Sequence, residues 1–181
     1  SCLSAVREDA PALLRGEGRF VDDLRLPGML HAAFVRSPHA HARIRGIDAT
    51  AARSVPGVHA VLAANDLSAV LASPRMPLGF PTKSLPPDIT PFVLAPTEVC
   101  FVGEAVAMVL AQSRYAAEDG AAAVDIDYEV LPALADCRDA LRADAPKVRS
   151  DAVDNILTRF SIAYGACAPA FANAAHVIRE S

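Results

Sequence analysis

Two histidines, His39 and His41, have a spacing that could serve metal binding. If they lie on a β-strand, both rings point to the same face, as metal ligands would. A zinc site needs further ligands, and no third ligand stands beside this pair. The sequence therefore favours two corner histidines with satisfied hydrogen bonds over a metal site.

Adjacent acidic residues, Asp22 and Asp23, with Glu8 and Asp9 upstream, could suggest acid–base chemistry or a hard cation. Neighbouring carboxylates usually point apart, and the alternating spacing of a calcium loop is absent. We interpret the pair as turn residues, or as a contact for a basic patch on a partner.

Glu104 follows Gly103 within the apolar stretch CFVGEAVAMVLA. A buried carboxylate has a raised pKa and can act in catalysis. Such a residue more often lies at a bulge or strand end, where it accepts hydrogen bonds from backbone amides. We predict the second role.

Two further patterns do not meet the requirements of a site. Gly16-x-Gly18 has no strand before it and no amphipathic helix after it, so it is not a dinucleotide fingerprint. Ser37, His39 and Asp48 do not form a predicted triad, because no nucleophile-elbow pattern surrounds the serine. The sequence thus predicts no catalytic, no cofactor-binding and no metal-binding residue in this chain.

The composition is that of a folded domain: 52% of the 181 residues are hydrophobic and 21% are charged. The net charge is −4 and the basic residues are scattered, which argues against nucleic-acid binding. No apolar run reaches the roughly 20 residues of a membrane span. The four cysteines form no C-x-x-C pair, and residues 1–16 show no signal peptide, so we expect reduced thiols and a cytoplasmic location.

The first half of the chain is predicted to be an arm followed by short strands. Residues 1–29 form the arm, with one helical turn near Pro11. We then expect a strand over 29–37, a corner at Pro38, and a second strand over 42–49 with a bulge at Gly46. In that strand Ile44 and Ile47 face one environment and Arg43 and Arg45 another. A short helix over 50–53, a strand over 58–63 and a helical turn at 65–67 follow.

The second half begins with a long loop over 71–97, which holds half of the 14 prolines. A buried strand over 99–111, a helix capped by Ser113 and a strand over 126–130 come next. This order is compatible with a crossover unit, and antiparallel pairing stays open as the alternative. We expect a short helix over 137–143, a linker over 146–161, a helix over 169–175 and a strand that begins at His176.

Taken in order, the motifs resemble the N-terminal part of the large subunit of molybdenum hydroxylases. This family contains xanthine dehydrogenase, aldehyde oxidase and carbon monoxide dehydrogenase. The matching pieces are Gly16-x-Gly18-Arg19-Phe20-x-Asp22-Asp23, PGMLH from Pro27, VRSPHAHARI from Val35, VPGV from Val55, FVGEAVAMVLA from Phe101 and VDIDYEVLP from Val124. PAFANAAHVI, from Pro169, resembles the family's entry into the molybdenum-cofactor domain.

The resemblance implies an α+β (mixed α/β) fold with two parts. Residues 1–142 would be an α/β-hammerhead domain with an extended N-terminal arm. Residues 143–181 would be a linker and the first helix and strand of a truncated molybdenum-cofactor-binding domain. The family's molybdopterin loops and glutamate base lie in the remainder of that domain, and its iron–sulfur clusters and flavin lie on other domains or subunits. Gly165-Ala166-Cys167 departs from the Gly-Asp that the family often has there.

The resemblance implies that the chain is a structural and assembly part of an oxidoreductase. By itself, this part would be inactive. The parent enzyme would oxidise an aldehyde, an N-heterocycle or carbon monoxide with oxygen from water. Expected partners are the molybdenum-cofactor-binding domain or subunit and an iron–sulfur subunit in an oligomer, with an FAD subunit as a further candidate. The alternatives are a non-enzymatic interaction module that kept the fold, and a stand-alone hydrolase that uses Glu104 or the histidines.

Overall fold

The computed structural model describes residues 8–77, 89–162 and 164–180. Its strands are β1 (His31–Arg36), β2 (Ala42–Asp48), β3 (Val58–Ala63), β4 (Glu98–Val99), β5 (Ala105–Ala111) and β6 (Asp125–Val130). Its α-helices are α1 (Ala10–Leu14), α2 (Thr50–Arg53), α3 (Arg114–Ala122) and α4 (Cys167–Ala172). Short 3-10 segments cover Val21–Asp23, Ala64–Ala69 and Asp139–Leu141. None of the helices in these ranges is long and apolar enough to cross a membrane.

The first sheet has the order β1-β5-β3, and both of its pairings are antiparallel. The central strand, β5, is apolar throughout and mostly buried, and α3 packs against it. Ser113 caps α3 by accepting a hydrogen bond from the Ala116 amide at 3.2 Å, as the sequence predicts.

The contact between α3 and this sheet depends on small residues. A Cβ atom placed on Gly120 would lie 2.9 Å from a methyl carbon of Val109 and 2.9 Å from one of Val58. Val109 belongs to a buried cluster in which Ala49 and Ala52 are the small members. The helix therefore packs closer to the strands than a larger residue at 120 would allow.

The second sheet has the order β4-β2-β6 and is also antiparallel. Its register shifts between Ile44 and Gly46, which confirms the predicted bulge. Ile44 and Ile47 pack against the core cluster around Val106, whereas Arg43 and Arg45 reach Glu129 at 2.7 and 3.4 Å. The alternation read from the sequence is therefore correct, and the two-sheet architecture with packed helices confirms the α+β class.

The prediction of one continuous strand over 99–111 is wrong. The chain turns at residues 100–104, so β4 and β5 belong to different sheets. Gly103 has a φ of +88°, in the left-handed region that favours glycine, and this residue allows the turn. The crossover unit is also absent, because β5 and β6 lie in different sheets.

The predicted elements after β6 are only partly formed. The helix expected over 137–143 is a single 3-10 segment, and the helix expected over 169–175 is α4, which starts two residues earlier. Residues 176–179 form no strand, since none of the strands that the structure describes pairs with them. In the loop over 71–97, residues 78–88 lie outside the described residues, and Arg75 and Phe92 form an isolated bridge.

Candidate functional site

Glu104 closes the turn between β4 and β5. Its Oε2 accepts a hydrogen bond from the Cys100 amide at 2.6 Å, and the residue is only 6% exposed. Burial raises the pKa of this carboxyl group, and the bonds from the backbone amides of Cys100 and Phe101 oppose that rise. The contact is the one predicted for a carboxylate at a strand end.

Ser37 ties the same turn to the end of β1 through its backbone. Its amide donates to the Glu104 carbonyl at 2.9 Å, and its own carbonyl accepts from the Gly103 amide at 2.8 Å. The Ser37 hydroxyl donates to the His39 carbonyl, and its oxygen accepts from the His39 amide. Asp48 lies at the far end of β2, where it accepts from the Thr50 amide at 2.8 Å. The structure therefore does not bring Ser37, His39 and Asp48 together as a triad.

The two histidines have separate surroundings because they lie in the corner before β2, where strand alternation does not apply. The ring of His39 meets Tyr128 edge-on at 5.0 Å between centroids. His41 is buried, with Nδ1 2.7 Å from the Pro132 carbonyl oxygen and Nε2 2.5 Å from Glu98 Oε1. His41 is thus a satisfied corner histidine, the interpretation that the sequence favours.

The acidic pair of the arm forms a turn. Asp23 Oδ2 accepts from the Phe20 amide at 2.9 Å, and Asp22 is 3.8 Å from Arg114 on the surface. Among the residues that the structure describes, no three His, Cys, Asp or Glu side chains are grouped as a metal site would require.

Glu98 is a site residue that sequence reasoning missed. Besides His41, its carboxylate accepts from the Ser150 hydroxyl at 2.8 Å and from the Ser150 amide at 3.2 Å. Its partners lie 57 and 52 residues away in the chain, so no local spacing could reveal the contact. Glu98 therefore joins the folded body to residues 148–151, which we name the strap.

Two arginines hold the strap on its other side. Arg149 donates to both carboxylate oxygens of Asp151, at 2.9 and 2.6 Å, and to the Ile89 carbonyl at 2.9 Å. These bonds keep the pKa of Asp151 below its ordinary value. Arg75 is 3.4 Å from Asp151, donates to the Thr90 carbonyl at 2.5 Å, and stacks over the Phe92 ring at 3.9 Å.

The strap, the turn and the loop residues line an open cleft of about 710 Å³. Cys100 lines it, and burial, with the nearby charges of Glu104 and Glu98, raises the pKa of its thiol to about 12. The thiol is therefore protonated and a poor nucleophile. Both arginines already donate to a carboxylate and a carbonyl, so the cleft suits attachment of the strap better than substrate chemistry.

Large apolar side chains are exposed at both ends of the described chain. On the arm they are Leu14, Phe20, Val21, Leu24 and Leu26; on the segment 157–180, which we name the tail, they are Leu157, Phe160, Ile162, Tyr164, Phe171 and Ile178. All of these are more than half exposed. Apolar exposure on this scale is typical of interaction surfaces.

Comparisons with known proteins agree with the motifs. The family described as "Aldehyde oxidase and xanthine dehydrogenase, a/b hammerhead domain" matches residues 15–132. The chain is 46% identical over 142 residues to the carbon monoxide dehydrogenase large chain of Afipia carboxidovorans, covering 78% of this chain and 17% of that one. It is 38% identical over 174 residues to the nicotine 6-hydroxylase large subunit of Paenarthrobacter nicotinovorans, covering 94% and 20%.

A solved structure gives the same result for the fold. Quinoline 2-oxidoreductase from Pseudomonas putida 86 superposes with a TM-score of 0.75 at 38% identity, over 97% of this chain and 22% of that one. The chain thus spans about a fifth of the length of these relatives.

Proposed function

Since the chain belongs to the hammerhead-domain family of aldehyde oxidases and xanthine dehydrogenases, we propose that it is a structural and assembly part of a molybdenum hydroxylase. The parent enzyme would oxidise an aldehyde, an N-heterocycle or carbon monoxide with oxygen taken from water. The chain would act in the cytoplasm and would not be catalytic by itself.

The observation that carries this proposal is that the polar side chains of the cleft make structural contacts within this chain. Glu104 holds a backbone amide, the Cys100 thiol is protonated, and Arg149 is paired with Asp151. A hydrolase needs an activated nucleophile and a base within reach of it. The contacts of Glu104 and His41 therefore argue against the stand-alone hydrolase.

The cleft beside the strap does not offer what an anionic pterin cofactor needs, which is unpaired cationic or amide donors. Both of its arginines, Arg75 and Arg149, donate to groups of this chain. We accordingly propose that the cofactor is held by a separate cofactor-binding domain or subunit. Iron–sulfur centres, and FAD where present, would lie on further partners. We also propose that the hammerhead domain ends at residue 142. We further propose that this chain supplies no catalytic, cofactor-binding or metal-binding residue.

The exposed apolar surfaces of the arm and the tail support an assembly role. Side chains such as Phe20, Val21 and Phe171 would be buried when the cofactor-binding part and its partners pack against them. A non-enzymatic interaction module would expose similar surfaces. The two functions are therefore distinguished by whether the complex that the chain forms contains molybdenum.

The test is purification of the tagged chain from its native host, followed by metal analysis of the complex. We expect molybdenum and iron in fixed ratios to the chain. A double variant, Phe20→Ser with Val21→Ser, should lower both ratios, whereas Arg138→Ser, another exposed position outside the arm and tail, should leave them unchanged. A stable complex without molybdenum would instead support the interaction module.

A further inference from the structure

Strand β6 forms an open edge of the second sheet. Of the described strands it pairs with β2 alone, and the extra residue of their register shift, Arg45, lies on β2. The other outer strands are less regular: β4 has two residues, β3 shifts register between Val58 and Ala60, and the pairing of β1 shifts at Arg36. Short strands and bulges protect a sheet edge from further pairing. With six regular residues and no proline, β6 is the outer strand best suited to accept another strand.

Two hydrogen bonds establish which way the backbone of β6 faces. The Leu131 amide, directly after β6, donates to the His41 carbonyl at 3.0 Å, so residues at alternate positions before it also face β2. Tyr128 lies opposite Ile44, whose amide points away from β6 and donates to the Thr97 carbonyl at 2.8 Å. Tyr128 and its alternate neighbours therefore turn their amides and carbonyls away from β2.

The outward groups belong to Ile126, Tyr128 and Val130. Within the part of the chain that the structure describes, none of their backbone amides or carbonyls has a hydrogen-bond partner. Their side chains lie on the core face of the sheet, where Ile126 and Tyr128 pack against the core and Val130 is 63% exposed. An added strand would find three donors and three acceptors here, and its apolar side chains would cover Val130.

The opposite face of β6 determines the charge of the strand that fits. Asp125 and Asp127 are exposed on this face, and neither has an ion pair with a described residue. In β2, Asp125 lies opposite Asp48, a like charge, and Asp127 lies opposite Gly46, which has no side chain. Glu129, the third acid of this face, is already paired with two arginines of β2. Two carboxylates at the open edge thus lack a favourable neighbour.

From this geometry we propose that β6 is a docking edge for an extended segment of a partner protein in which lysine or arginine alternates with apolar residues. The basic side chains would lie beside Asp125 and Asp127, and the apolar ones beside Tyr128 and Val130. A second β6 does not fit, because antiparallel pairing with both cores on the same side places acid opposite acid. The inference does not rest on the proposed function, since every group of the edge belongs to this chain.

The docking edge can be tested by amide hydrogen exchange of the 181-residue chain, followed by NMR. The probe is the capped peptide acetyl-KVKVKVK-amide. In the free chain, the outward amides of Ile126, Tyr128 and Val130 should exchange faster than those of Asp127 and Glu129, which face β2. Saturating peptide should slow exchange of the three outward amides by about tenfold or more.

Two matched peptides separate strand pairing from simple charge attraction. In the first, the valine amides are N-methylated, which keeps the charge and removes the donors that would face β6. In the second, glutamate replaces every lysine, which keeps the donors and reverses the charge. Neither peptide should slow exchange of the outward amides.

Substitutions in the chain test the role of the acids. Asp127→Lys should weaken binding of the lysine peptide by about tenfold. Asp119→Lys makes the same charge change on the exposed surface of α3 and should weaken it much less. Asp125→Lys replaces the first variant if that one does not fold.

Three results would overturn the proposal. They are unchanged exchange of the outward amides with the lysine peptide in the wild-type chain, equal protection by the N-methylated peptide, and equal effects of Asp127→Lys and Asp119→Lys. In each case the acids would serve only to keep the edge of β6 free of other strands.

Discussion

The Cys100 amide donates to the Glu104 carboxylate across 2.6 Å, and this bond closes the turn between the two sheets. The donor and the acceptor are four residues apart in a stretch whose composition favours a single buried strand. Glu104 supplies the acceptor that a neighbouring strand would otherwise provide. Glu104 thus lies between β4 of the second sheet and β5 of the first, directly before β5 begins.

Replacing Glu104 by alanine should destabilise the fold by about 1–3 kcal/mol, because it leaves the Cys100 amide without its acceptor. Chemical denaturation measures the free energy of unfolding. Glu118→Ala is the matched control, since it removes only an exposed pair with Arg114 and should cost about 0.5 kcal/mol or less. Equal effects of the two substitutions would contradict this role of Glu104.

Replacing Gly120 by alanine should also destabilise the fold, although alanine favours helices. Its Cβ would lie 2.9 Å from carbons of Val109 and Val58, and such overpacking costs about 1–3 kcal/mol. At Gly46, where an added Cβ meets nothing within 4 Å, the same substitution should change stability by about 0.5 kcal/mol or less. Thermal or urea unfolding of both variants checks the difference.

Alkylation should distinguish the half-buried Cys100 thiol from the exposed thiols of Cys137 and Cys167. With a pKa of about 12, only about one Cys100 thiol in ten thousand is ionised at pH 8. Iodoacetamide should therefore label the exposed Cys137 and Cys167 first, and Cys100 far more slowly. Peptide mapping by mass spectrometry follows each site. Rapid labelling of Cys100 in the folded chain would mean that the turn opens easily.

Asp151 should contribute an acid-sensitive part of the stability. Its pKa is below the ordinary 3.8 in the folded chain, chiefly because Arg149 donates to it. The folded state thus binds this proton less readily than the unfolded state, so the contribution is complete above pH 3.8 and is lost as the pH falls through the folded-state pKa. Over that acid range, the free energy of unfolding of Asp151→Asn should fall less than that of the wild-type chain. Chemical denaturation at a series of pH values measures both.

Sequence reasoning was most accurate where local chemistry decides the structure. The bulge at Gly46, the cap at Ser113 and the two faces of β2 each depend on residues a few positions apart. The family was also identified from the order of motifs, and the hammerhead match over 15–132 confirms it.

Most of the errors and omissions depend on partners that are distant in the chain. The stretch 99–111 has the composition of one strand. It is divided by the left-handed Gly103, by the bond from the Cys100 amide to Glu104, and by the contacts of the distant Ser37 with the turn. Residues 176–179 have strand propensity without a neighbouring strand. Glu98 was missed because His41 and Ser150 reach it from far along the chain.

The pairing of the strands also determines when the chain can fold. β1 pairs with β5, and β2 pairs with β6, so each sheet combines residues from both halves of the sequence. During synthesis the first sheet cannot close until Ala111 has emerged from the ribosome, and the second must wait for Val130. Such non-local pairing is typical of slow-folding topologies, because the entropy cost of closing the long loops comes before the stabilising contacts form. The apolar strands β1 and β3 would meanwhile remain unpaired, at the stage when a nascent chain is most exposed to aggregation.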